Sequence, residues 1–194
     1  MNYELSTKHS FRLGFTPHRR GAGFTLVELM VVMVILGILA VLGLGSFRSS
    51  QMKGRDNQRK GELRSVVQAL ELYYNDKGKY PNDNGAGKIS GCSPDDLSLC
   101  DWGSEFKDKN DSLYMAELPS DPLSGYTYYY DVLGVNNASF QLYARLENTE
   151  DPDVPKSAGT PQVYSGLSCG LKSCNYGRSS TNTTSGTGRT LVNE

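Results

Sequence analysis

Two sets of residues could do chemistry. Glu28 is the single charge in the 21-residue run at 24–44, FTLVELMVVMVILGILAVLGL. A carboxylate inside an apolar helix costs about 2.5–3.5 kcal/mol on insertion scales unless it is paired. Glu28 therefore calls for a cationic partner, the rival reading being a side chain that snorkels to a membrane surface. The second set is four cysteines, Cys92, Cys100, Cys169 and Cys174, all outside the apolar run. Their even number fits disulfides made in an oxidising compartment. Three pairings are open. Cys92–Cys100 with Cys169–Cys174 is the simplest, each bond closing a short loop, and a scheme that cross-links Cys92 to Cys174 is the alternative. No Cys-x-x-Cys pair is present, which disfavours zinc. The two histidines, His9 and His18, lie near the start, so no histidine-based catalytic or metal site can form in the body of the chain. No Ser/His/Asp, Cys/His or phosphate-loop arrangement occurs either. The sequence singles out no catalytic residue and no metal ligand, and it reads as a non-enzyme.

The elements that position these residues are strongly segregated by charge. Net charge over 194 residues is −1, which argues against a general nucleic-acid binder. Residues 1–23 nevertheless carry +3, 24–47 carry −1, 48–64 carry +4 and 65–194 carry −7. A basic arm, an apolar rod, a basic collar and an acidic body form the layout of a protein organised around a membrane. As a helix, the apolar run spans roughly 30 Å, the thickness of a bilayer core. It is longer than the apolar core of a cleaved secretory signal, and no A-x-A-like site follows it. Arg48, Lys53 and Arg55 follow it closely, so flanking charge alone leaves the orientation undecided.

Helical periodicity continues beyond the apolar run. Leu63, Val66, Val67, Leu70, Tyr73 and Tyr74 recur at spacings of three and four, with Arg64, Gln68 and Glu71 opposite. One helix over 24–75 would run about 78 Å, stopped by Asp76-Lys77-Gly78-Lys79-Tyr80-Pro81 with Gly78 as C-cap. The basic collar of Arg48, Lys53, Arg55, Arg59, Lys60 and Arg64 reads as a solvated, lipid-facing or subunit-bridging face, with Asp56 and Glu62 available for ion pairs. Residues 82–116 read as an irregular connection. Strands are expected over 126–133 and 139–147, joined near 134–138. In the second strand Phe140, Leu142, Ala144 and Leu146 should share one face, and Gln141, Tyr143, Arg145 and Glu147 the other. The acidic segment 147–153, ENTEDPD, reads as a solvated loop, and 176–194, rich in Gly, Ser, Thr and Asn, as a flexible tail.

The stretch Gly-Phe-Thr-Leu-Val-Glu followed by LMVVMVILGILA resembles the type III signal of prepilins and pseudopilins, the type IV pilin-like superfamily, over about residues 19–44. LPSDPLSGYTYYYDV resembles the turn and first strand of pseudopilin heads. The resemblance implies an α+β pilin fold: a long N-terminal helix, half membrane-embedded and half amphipathic, packed on a small antiparallel sheet. Its expected parts are a leader at 1–23, a membrane or filament-core helix at 24–47, an amphipathic helix at 48–76, a head at 77–175 and the tail at 176–194. It implies cleavage by a prepilin peptidase between Gly23 and Phe24, N-methylation of Phe24, and pairing of Glu28 with the Phe24 amine of a neighbouring subunit. The implied partners are further copies in a helical filament, the peptidase, an inner-membrane assembly platform with minor pilins, and membrane lipid before assembly. The implied location is a single pass through the inner membrane with the head outside the cytoplasm, then a surface or periplasmic filament. No specific nucleic acid and no cofactor are expected. Major pseudopilins of type II secretion bind calcium after the sheet, but segment 147–153 does not match their ligand pattern, so calcium is not transferred. Three functions remain: a type IV pilus subunit, a major pseudopilin, and, from a different class, a membrane-anchored binding or enzymatic domain.

Overall fold

The computed structural model describes residues 23–194, the side chains of 42–46 excepted. Helix α1 covers Leu26–Lys77. The chain divides into two compact units, Met1–Leu44 and Gly45–Glu194. The leader expected at 1–23 therefore lies outside the described residues save for Gly23. In the first unit the apolar side chains from Leu26 to Val41 are exposed. Among the described residues no helix is long and apolar enough to cross a membrane. A span needs about 20 apolar residues, and the described side chains of this run end at Val41.

In the second unit, α1 shows the amphipathic pattern that its sequence predicts. Leu63, Val66 and Leu70 are fully buried and Ala69 and Tyr73 nearly so, while Arg64, Gln68 and Leu72 are exposed. Gly78 ends the helix. Its φ is +70°, a conformation that glycine adopts without the Cβ penalty, and its N–H donates to Tyr74 O at 2.8 Å. The helix thus runs two residues past the expected stop at 75.

The region 82–116 is more ordered than expected. It contains five short strands: β1 (Asn82–Asp83), β2 (Ile89–Cys92), β3 (Ser98–Cys100), β4 (Phe106–Lys107) and β5 (Leu113–Met115). β1, β2 and β3 form one antiparallel sheet and β4 pairs with β5. The Cys92–Cys100 bond ties β2 to β3. Strands this short give little periodic signal, and the bond supplies what the pattern lacks.

The expected meander forms, with shorter strands and an extra partner. β6 (Tyr129–Leu133) and β7 (Ser139–Ala144) pair antiparallel, and β10 (Tyr176–Ser179) takes the other edge of β7. β8 (Lys156–Ser157), β9 (Thr160–Tyr164) and β11 (Leu191–Asn193) make the last sheet, in the order β11-β9-β8.

The reading of 176–194 as a flexible tail is corrected: its two ends are strands, and the turns between cover β7. That cover buries the second face of β7 as well as the first. Phe140, Leu142, Ala144 and Leu146 enter the core under α1, and Gln141, Tyr143 and Arg145 are buried as well. Gln141 Nε2 donates to Thr184 O at 2.7 Å and Thr187 O at 2.9 Å, and Tyr143 Oη donates to Ser185 O at 2.7 Å. Buried polar side chains need partners, and the carbonyls of the Ser/Thr/Gly segment supply them. Gly177 permits the close fit, since a Cβ there would lie 2.6 Å from Ser185 Cβ and 2.9 Å from the Tyr143 ring.

Candidate assembly site and the latch on the head

At the start of α1, Thr25 and Glu28 close on each other. The Glu28 carboxylate accepts from Thr25 N at 2.8 Å and from Thr25 Oγ1 at 2.7 Å. Glu28 N donates back to Thr25 Oγ1 at 3.2 Å, and Thr25 O accepts the first helical bond, from Leu29 N. This is a capping box, two unpaired N-terminal groups satisfied reciprocally by a Thr-x-x-Glu pair. Glu28 thus has an uncharged partner in its own chain, which the sequence reading of a carboxylate without one did not foresee. The helix N-terminus adds a favourable dipole for its charge.

Gly23, Phe24 and Glu28 stand together at this end, all exposed. A Cβ built on Gly23 meets nothing within 4 Å, so the chain's own fold does not demand glycine there. Behind them lies the row from Leu26 to Val41, with every large apolar side chain about half exposed or more. A contiguous apolar surface of this size marks a contact with lipid or protein.

The basic collar is corrected by the second unit. Arg59 is completely buried, and so is Asp121, which it reaches through Nε at 2.7 Å and Nη2 at 2.8 Å. Nη1 of Arg59 donates to Asp56 at 2.8 Å and Glu147 at 2.7 Å. Arg55 grips Glu147 with two bonds of 2.8 and 2.6 Å, and the Tyr128 hydroxyl donates to Glu62. Asp56 in turn accepts from the backbone of Glu147 and Asn148. Burial acts against the Arg59 charge, but the surrounding carboxylates outweigh it and raise its pKa. The Arg55 guanidinium, against burial, holds the Glu147 carboxyl below its usual value.

Arg55, Arg59 and Lys60 therefore dock the head on the helix, while Arg48, Lys53 and Arg64 stay exposed. The acidic loop is corrected with them. Lys60 reaches Asp151 at 2.6 Å and Asp153 at 2.7 Å, so 147–153 faces the collar instead of lying free in solvent. Among the described residues no cluster of His, Cys, Asp or Glu is arranged to hold a metal ion.

The cysteines form two local bonds, Cys92–Cys100 and Cys169–Cys174. The second closes a loop that clips onto the segment leading into β6: Leu171 N donates to Gly125 O at 2.9 Å and Thr127 N to Cys169 O at 3.3 Å. Gly170 is required at that approach, since a Cβ would stand 2.1 Å from Gly125 O.

Comparison with known proteins decides the family. The family described as the prokaryotic N-terminal methylation motif matches residues 18–44. The chain is 32% identical over 126 residues to the type II secretion system core protein G of Pseudomonas aeruginosa, covering 65% of this chain and 83% of that one. The chain belongs to the type IV pilin-like family. The core protein G of Aeromonas hydrophila is also 32% identical, over 108 residues that cover 54% of this chain and 68% of that one. The fimbrial protein EcpC of Eikenella corrodens is 42% identical over 72 residues, 35% of this chain and 44% of its own. No solved structure matches the chain. As a pilin-like filament subunit, this chain pairs an exposed apolar helix with a folded head, and the capping box and the Arg59 latch sit on those two parts.

Proposed function

We propose that this pilin-like protein is a core subunit of a pseudopilus of the type II secretion kind. The observation that carries this reading is the length of the match to core protein G. At 126 residues it cannot end within the first 77, so it extends past α1 into the head. The 72-residue match to a fimbrial protein is short enough to fit within the N-terminal part. A type IV pilus is the second reading, favoured by the higher identity of that shorter match.

In either filament the same chemistry serves assembly. A prepilin peptidase cleaves between Gly23 and Phe24 and leaves a new amine, which is then methylated. The apolar residues 24–44 anchor the subunit in the inner membrane until an assembly platform extracts it. Glu28 exchanges its bonds to Thr25 for the Phe24 amine of a neighbour, so that each subunit brings one half of an ion pair that assembly completes. A buried charge deprived of its partner is strongly destabilising, and this makes the pair selective for correct register.

The test is expression of the chain in a host whose type II secretion system lacks its core protein G. Filaments that contain the chain and are lost with Glu28→Leu are expected. Filaments formed only by a type IV pilus apparatus would transfer the function to the second reading, and filaments from neither would overturn both.

A further inference from the structure

The head carries a groove of about 420 Å³. Two aromatic side chains, Trp102 and Tyr126, line it together with Lys88, Asp101, Ser120 and Thr127. Each charged side chain in its lining already has an ion-pair partner. Lys88 Nζ and Asp101 Oδ1 are 2.6 Å apart, and Asp121 is paired with Arg59. The groove thus presents no unpaired charge to an ionic ligand.

Hydrogen-bonding groups in its lining lack partners. Trp102 keeps a buried indole N–H with no partner. Buried indole donors normally find one. The Ser120 hydroxyl makes no hydrogen bond among the described residues, and Thr127 Oγ1 gives only a long bond of 3.3 Å to Tyr128 O. The walls are fixed in advance. Trp102 packs edge-on against Tyr128, with ring centroids 5.5 Å apart, and the adjoining Gly103 N–H donates to Leu118 O at 2.6 Å. Tyr126 is held by its bridge to Gly170 in the Cys169–Cys174 loop.

We propose that this groove binds a neutral carbohydrate. Aromatic side chains in the lining suit the apolar face of a pyranose ring, although one face of Tyr126 already lies under the Arg59 guanidinium, 6.0 Å from the ring centroid. Donors and acceptors without an unpaired charge suit its hydroxyl groups, which both give and accept hydrogen bonds. A phosphate, a uronic acid or an amine would lack a compensating charge here. The proposal is independent of which filament the subunit builds.

Trp102 is the single tryptophan of the chain, so its fluorescence reports on this groove alone. The full chain in a sugar-free detergent is titrated with the methyl glycosides of glucose, galactose, mannose and N-acetylglucosamine, and with glucuronate and glucosamine as charged controls. At least one neutral glycoside is expected to shift the emission with saturation below about 10 mM. The same glycoside should bind at least about tenfold more weakly to Asp101→Asn and to Ser120→Ala, followed by amide chemical shifts that also show the fold intact. No saturable shift with any neutral glycoside would overturn the proposal. So would charged sugars binding as tightly as neutral ones, or undiminished binding in both variants.

Discussion

Arg59 and Asp121 lie 62 residues apart in sequence and meet through two bonds, of 2.7 and 2.8 Å, with both side chains closed off from solvent. The contact fastens the LPSDP turn to the helix. It explains what that turn does in the fold: Asp121 also accepts from Leu123 N at 2.9 Å and so sets the turn while it holds the helix. Arg59 is the cation shared by Asp121, Asp56 and Glu147, and removing one side of a buried ion pair costs about 3–5 kcal/mol when the charge left behind is uncompensated. Arg59→Ala, which strands the closed-off Asp121 carboxylate, is therefore expected to lower unfolding stability by that amount in urea titrations of the full chain in detergent. A loss under about 1 kcal/mol would mean that the pair is not what holds the head.

Acid should loosen the other end of the helix. Lys77 reaches the buried Asp108 at 2.6 Å. Burial pushes the Asp108 carboxyl up, but the Lys77 ammonium and the Ser112 and Asn110 N–H groups outweigh it and hold the pKa at about 2. An unfolded aspartate titrates near 3.9. The folded value is the lower one, so this stabilisation is complete above about pH 5 and is lost as pH falls from about 4 to 2. Asp108→Asn should flatten the fall in thermal midpoint across that window. An unchanged profile would remove Asp108 from the account.

The N-terminal residues separate folding from processing. Because a Cβ at Gly23 meets open space, Gly23→Val should fold as the parent does yet accumulate as uncleaved precursor on a gel. Thr25→Ala removes the capping box, which should cost about 0.5–2 kcal/mol at the helix start. That loss would appear as faster hydrogen exchange at the amides of 26–29, with the head unaffected.

The short disulfide loop is expected to matter more for position than for stability. A loop of this length contributes about 2 kcal/mol by chain entropy. Cys169→Ser with Cys174→Ser should lower stability by about that much and expose the 125–127 backbone to exchange. Mass mapping without reductant should find no free thiol in the parent chain. Two or more would contradict the pairing.

Much of this was legible in the residues. Glu28 in an apolar run, the stripe from Leu63 to Tyr74, the Gly78 stop and the two strands of the meander all follow from spacing and turn chemistry. Two features were legible and overlooked. Thr25-Leu26-Val27-Glu28 is a capping-box pattern, and Arg59 falls on the same helical stripe as Leu63, Val66, Leu70 and Tyr73, a place where a charge must find a buried partner. Others were hidden by their nature. The partners Asp121 and Glu147 are far away in sequence, so no local pattern announces them. The last 19 residues look like a solvated tail because their task is to offer backbone carbonyls to Gln141 and Tyr143, and composition does not encode that. Strands of two or three residues, such as β1 and β4, are too short for a period to show.

Under the proposed function, residues 24–44 become the assembling end of a filament subunit once the leader is removed. Intact-mass and N-terminal analysis of the protein from its native membrane fraction tests this most directly. The expected chain begins at an N-methylated Phe24 and carries both disulfides. A chain that retains residues 1–23 would contradict it and leave a membrane-anchored domain of another kind.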